Sequence, residues 1–174
     1  ARRILTVTGT SGGTASRNFG AAHHVEIGIE GAKNTLDNVF SFIHDDGAGP
    51  ITENVPNANV TVEEKRYEPF IDYIWRPNNR WSVEGRLARE SSTLTFSGDA
   101  NQSVELAYIK PSIQVSRNVG EHNQLHLRAY RDVGQLNFDD FVSASSVADN
   151  LINGGNPDLK PQTSYRLEFG GDLH

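Results

Sequence analysis

The sequence predicts an all-β chain: an antiparallel up-and-down meander of about seven or eight long strands, a segment of a transmembrane β-barrel spanning residues 1–174. Three observations lead there. Apolar residues recur at every second position, the period of a half-exposed strand, and helical periodicity is scarce. One alternating run, Asn59 to Arg76, is about three times the usual 5–6 residues of a soluble strand. The only two tryptophans, Trp75 and Trp81, bracket a short turn on one face. That placement suits an aromatic girdle at a membrane interface.

A short strand is expected near Arg3–Thr10, followed by a turn at Ser11-Gly12-Gly13-Thr14. His24–Ala32 sets Val25, Ile27 and Ile29 against Glu26, Gly28 and Glu30. In Asn59–Arg76, Tyr67, Pro69, Ile71, Tyr73 and Trp75 oppose Arg66, Glu68, Asp72 and Arg76. At about 3.3 Å per residue this run reaches about 55 Å, or about 43 Å when tilted, enough to cross an apolar band of about 25 Å. Arg76–Arg80 reads as a tight turn from its Pro and Asn content. Trp81, Val83, Gly85 and Leu87 then oppose Ser82, Glu84, Arg86 and Glu90. After a turn at 97–101, Ala107, Ile109, Pro111, Ile113 and Val115 oppose Lys110, Ser112, Gln114 and Ser116. Leu125, Leu127 and Ala129 oppose His126, Arg128 and Asp132; Tyr165, Leu167 and Phe169 form the last apolar face. His44–Ala58 and Asp139–Lys160 read as long loops at the end opposite the short turns 76–80 and 118–123.

A shift of 42 residues superimposes Pro69 on Pro111, Ile71 on Ile113, Arg86 on Arg128 and Arg89 on Arg131, so the repeating unit is a long hairpin. Each proline removes a ladder hydrogen bond, and a bulge or pairing gap is expected at each.

Composition narrows the function classes. The formal charge of −6 argues against a nucleic-acid partner. Leu, Ile, Val and Phe total 43 of 174 residues, too many for a disordered chain. The absence of cysteine removes disulfides, thiolate metal sites and cysteine nucleophiles. The mean hydropathy of −0.51 is compatible with a membrane barrel, whose alternation averages to a hydrophilic score. No nucleotide, hydrolase or EF-hand spacing occurs, so no enzyme, cofactor or metal is predicted. His23 and His24 are adjacent and point to opposite faces of a strand; His122 and His126 lie about 13 Å apart in one.

The site residues follow from the faces. Arg66, Glu68, Asp72, Glu84, Arg86 and Arg128 are expected to line a wet lumen. Tyr73, Trp75 and Trp81 are expected at one membrane interface, and Arg89 and Arg131 at the other, within reach of lipid phosphates.

The segment from Gly155 to Glu168 contains Asn156, Pro157, Leu159, Lys160 and Pro161 and resembles the Gly-Asn-Pro-x-Leu-Lys-Pro-Glu signature of TonB-dependent outer-membrane receptors, with Gln162 where Glu is usual. Weaker similarity covers Glu30–Asp37, the hairpin Pro69–Phe96 and Gly134–Val142. The resemblance implies a 22-stranded barrel around a plug, in the outer membrane of a Gram-negative bacterium. Such a receptor imports a scarce ligand, such as a metal chelate or oligosaccharide, using energy from the TonB complex. The chain would form about a third of such a barrel, since it shows neither plug, TonB box nor closing strand. Its partners would be outer-membrane lipids, an unidentified small ligand and, through the missing parts, TonB. A complete eight-stranded barrel of structural or adhesive role and a soluble β-sandwich binding module are the alternatives.

Overall fold

The computed structural model describes residues 2–39, 41–45, 47, 49–53, 58–99, 101–120, 123–134, 144–146, 151–153 and 159–172. All its regular elements are strands: β1 (Arg2–Phe19), β2 (His23–Val39), β3 (Phe42–Asp45), β4 (Pro50–Glu53), β5 (Asn59–Asn78), β6 (Trp81–Gly98), β7 (Gln102–Val119), β8 (Asn123–Val133), β9 (Ala144–Ser146), β10 (Leu151–Asn153) and β11 (Thr163–Asp172). Seven of them form one antiparallel sheet in the order β1-β2-β5-β6-β7-β8-β11; β3-β4 and β9-β10 are separate two-stranded ribbons. The meander is open. β1 and β11 occupy its two edges and do not pair with each other, so a closed eight-stranded barrel is not formed.

Several local expectations are corrected. Ser11–Thr14 is not a turn. It lies inside β1, paired with Gly28–Gly31 of β2, where Gly12 approaches the partner backbone closely. A Cβ on Gly12 would lie 2.9 Å from the Ile29 carbonyl oxygen. The connections read as loops contain the short ribbons β3-β4 and β9-β10. Asp45 organises the first, its Oδ1 accepting from the amides of Gly47 (2.9 Å) and Gly49 (3.2 Å). Pro69 leaves a gap in the β5–β6 ladder between Tyr67 and Phe70, with the register unchanged beyond it. Pro111 pairs with Leu87 on its β6 side, while the β7–β8 ladder stops at Ser112 beside it. The register shifts lie elsewhere, at Val7/Gly9 and Trp75/Asn78.

The register contains a uniform slip. A row followed across the sheet from Ala15 on β1 reaches Ile71 on β5, 56 positions on; from Ile27 on β2 it reaches Leu87 on β6, 60 on. From Ile71 a row reaches Pro111 on β7, 40 on; from Glu84 it reaches Arg128 on β8, 44 on. One displacement serves both strands of each hairpin only if it is 58 in the first case and 42 in the second. Each hairpin then slips by two residues in the same direction. The second value is the sequence repeat. One residue of slip per strand sets a rise of about 3.3 Å against a strand spacing of about 4.8 Å. If the short turns share a plane, the strands tilt by about 35°, within the range that closed barrels require.

Candidate functional site: two faces and a collar

The sheet's two faces differ in chemistry, and the difference reverses along the strands. On the face carrying odd-numbered residues, an apolar band runs from the level of Trp75 to that of Tyr67. Ile27, Ile29, Tyr67, Ile71, Tyr73, Trp75, Leu87, Ile109, Ile113 and Leu127 are all exposed on it, and Tyr165, Leu167 and Phe169 on edge strand β11 are 72–82% exposed. Eight residue steps at about 35° tilt give a band about 22 Å tall.

Arg66, Glu68, Asp72, Glu84, Arg86 and Arg128 all fall on the other face. The cross-strand pairs Asp72–Arg86, Ile74–Glu84 and Gln114–Arg128 fix that alternation. Three of the six belong to one charge network. Arg86 donates to Asp72 at 2.8 Å and approaches Glu68 at 3.8 Å. Lys110 contacts Glu68 and, at 2.9 Å, Glu90. The Arg86 guanidinium also lies 4.0 Å from the Phe70 ring centroid. Phe70 has room because Gly28 faces it: a Cβ there would stand 2.4 Å from its ring. Arg66 and Glu68 border a shallow hollow of about 400 Å³ with Glu30 and Thr10. Glu84 and Arg128 border another, of about 300 Å³, with Asp72 and Arg86. Lys110 and Glu90 complete the network; alternation places both on this face.

Tyr73, Trp75 and Trp81 are exposed on the apolar face beside the short turns. His23 stacks on Tyr73 and Trp75 and shares a 2.7 Å hydrogen bond with the Tyr73 hydroxyl, while His24, on the opposite face, bonds Asn18. Arg89 and Arg131 also lie on the apolar face, at one level under the 42-residue displacement. Their surroundings differ. Arg89 is exposed. Arg131 is half-buried, and its Nη1 donates to the Ile109 carbonyl at 3.0 Å, beside the point where Pro111 ends the ladder. The guanidinium replaces a backbone donor there, and less of it is free for a lipid phosphate than the sequence suggested.

Beyond the level of Tyr67 the faces exchange character. Leu36, Val60, Val62, Leu94 and Phe96 form a buried cluster on the even-numbered face, with Val104, Leu106 and Leu159 packed against it. On the odd-numbered face at this collar, Glu63 bridges Lys33 (2.5 Å) and Lys65 (2.9 Å). Hydrogen bonding from Lys33, then from Lys65, holds the Glu63 carboxyl below its ordinary value. Of the signature segment, Leu159 is half-buried and packs against the cluster, Lys160 is exposed and Pro161 precedes β11. Asn156, Pro157, His122 and residues 135–143 lie outside the described residues. The collar was missed in the sequence, although apolar residues pass from odd to even positions between Tyr67 and Val62.

No protein-family model matches this chain, and no curated protein or solved structure matches it.

Proposed function

We propose that this chain is an arc of an outer-membrane β-barrel, with the odd-numbered face against lipid and the even-numbered face on a wet lumen. The carrying observation is the exposed apolar band, which extends across the meander with a charge network directly behind it. A soluble monomer rarely leaves a contiguous apolar patch of more than a few hundred Å² open. In lipid such a band needs no cover. On the lumen side, Arg86, Glu68 and Lys110 keep both water and partners, which avoids the desolvation penalty of buried ions. The two-residue slip per hairpin supports the reading, because a closed barrel needs that stagger. Both long connections (residues 40–58 and 134–162) leave the sheet at the same end, beside the short turn 99–101, and this supports it too, with that end outside the cell.

The resemblance of the Gly155–Glu168 segment extends the reading to a TonB-dependent receptor, a transporter that imports a scarce chelate or oligosaccharide through the lumen. Leu159 adds support, since the signature leucine anchors the connection before β11 on the collar cluster.

The absence of cysteine makes the test clean. Single cysteines at Ser112, Ile113 and Gln114 are introduced into the full chain reconstituted in phospholipid vesicles. A charged maleimide should label positions 112 and 114 and spare 113, while a fluorophore at 113 should be quenched by brominated lipid. Equal aqueous labelling of all three, in a protein that stays dissolved without detergent, would refute the membrane reading.

A further inference from the structure

We infer that the short-turn rim of the lipid-facing surface is a binding surface for acidic phospholipid headgroups, with Arg17 and Arg117 as the anion-contacting residues. This rests on the membrane reading above.

The argument begins with level. Under the displacements fixed by the ladder, Arg17 lies 58 positions before Trp75 and Arg117 lies 42 after it, so the three share one height on the same face. His23 and Trp81 are likewise related by 58 and lie at the neighbouring height. The rim therefore reads Arg17, His23, Trp75, Trp81, Arg117 from β1 to β7. Each arginine rests near an aromatic ring of the same rim: Arg17 lies 5.2 Å from the Phe19 centroid and Arg117 lies 5.1 Å from that of Trp81. Both arginines and both rings are exposed. Stacking holds a guanidinium over the ring face and leaves its N–H edge directed outward, the edge that matches a phosphate. Neither arginine forms an ion pair among the described residues.

Charge separates this rim from its opposite. At the collar an acid lies on the same face as the cations: Glu63 bridges Lys33 and Lys65. At the short-turn rim, no acid lies on the lipid-facing side among the described residues. Glu26, Asp72, Glu84 and Glu168 all lie on the other face. Arg80 at the Asn79-Arg80 turn adds a further exposed cation. An uncompensated row of cations at the edge of an apolar band, with aromatic rings at headgroup depth, complements an anionic leaflet.

The molecule carries its own probe. Trp75 and Trp81 are the chain's only tryptophans, and both sit on this rim. The full chain is reconstituted in mixtures of phosphatidylglycerol and phosphatidylcholine in which one or the other carries dibrominated acyl chains. Tryptophan quenching then reports which lipid lies beside the rim. Phosphatidylglycerol should be preferred, and Arg17→Gln and Arg117→Gln should each lower that preference about fivefold. Arg89→Gln, at the opposite rim, should leave it unchanged. Inorganic phosphate at constant ionic strength should not compete; competition without lipid selectivity would mean a discrete phosphate site and overturn the proposal. Equal quenching by both lipids would also overturn it while leaving the membrane reading intact. No quenching by either lipid would remove both.

Discussion

Between Tyr67 and Trp75, the odd-numbered apolar groups of β5 are exposed, and the even-numbered face carries Glu68 and Asp72 around a buried Phe70; at Val60 and Val62 the apolar groups are even-numbered and at most 2% exposed. The same exchange occurs between Ile29 and Leu36 on β2, Leu87 and Leu94 on β6, and Ile109 and Leu106 on β7. Backbone pairing continues through all four reversals, so hydrogen bonding does not cause them. Each side chain follows what lies beyond its face. On the membrane reading proposed above, that is lipid outside and a charge network within along the band, and water outside and a packed cluster within at the collar. The level at which parity changes is therefore where the strands leave the band.

Truncation should separate the regions most sharply. Phe96→Ala in the collar should cost about 3–5 kcal/mol, since it empties part of a closed cluster. Ile71→Ala in the band should cost far less, because its side chain is 44% exposed and leaves no cavity. Denaturant titration in vesicles measures both. Similar losses would mean that something packs over the band as tightly as the collar is packed.

Charge insertion inverts the order. Ile71→Arg, at mid-band, should lower folding stability in vesicles by about 2–4 kcal/mol, while Thr95→Arg, on the same face above the band and opposite Glu63, should change it by about 0–1 kcal/mol. If the two substitutions prove equally mild, the band does not face lipid.

Backbone substitutions test a finer difference. Gly98 closes the collar end of β6 at φ +102°, and a Cβ there would lie 2.3 Å from the Asn59 carbonyl oxygen. Gly98→Ala should destabilise by about 1–3 kcal/mol, the usual cost of a strained backbone position. Gly85, in the band, has only the Ser112 carbonyl at 4.0 Å, so Gly85→Ala should be tolerated. Thermal melts of the two variants make the comparison.

Much of this architecture was legible in the sequence. Period-two alternation located six of the seven long strands and only the first half of β1, and the parity of Glu68, Asp72, Glu84 and Arg86 assigned their common face. The 42-residue repeat was visible as well, but its meaning needed the ladder, because only pairing shows that rows and repeats differ by two residues. Three features were hidden for physical reasons. Gly12 and Gly13 look like a turn because glycine is permissive in any conformation, and only the partner strand shows that they are extended. The Lys110–Glu68–Arg86 network joins residues up to 42 positions apart, which a sequence pattern does not bring together. The collar escaped because Asn59–Arg76 was read as one pattern, whereas Val60 and Val62 already break its parity.

The weakest expected effect lies on the collar's outer surface and concerns pH. Glu63 sits between Lys33 and Lys65, whose hydrogen bonds lower its carboxyl from the ordinary value of 4.5. A depressed folded value means that the unfolded chain binds the proton more readily. The stabilisation is therefore complete above about 4.5 and fades as the pH falls through the lowered folded value. The site is open to solvent, so salt screens it. Glu63→Gln should flatten the acid limb of the stability profile slightly, and high salt should erase the difference from the unmodified chain. Acid titrations of Glu63→Gln and of the unmodified chain at low and high salt measure it. A Glu63 effect that persists in high salt would mean that the collar's outer face is shielded from water, and the boundary between band and collar would then lie farther from the short turns than the level of Tyr67.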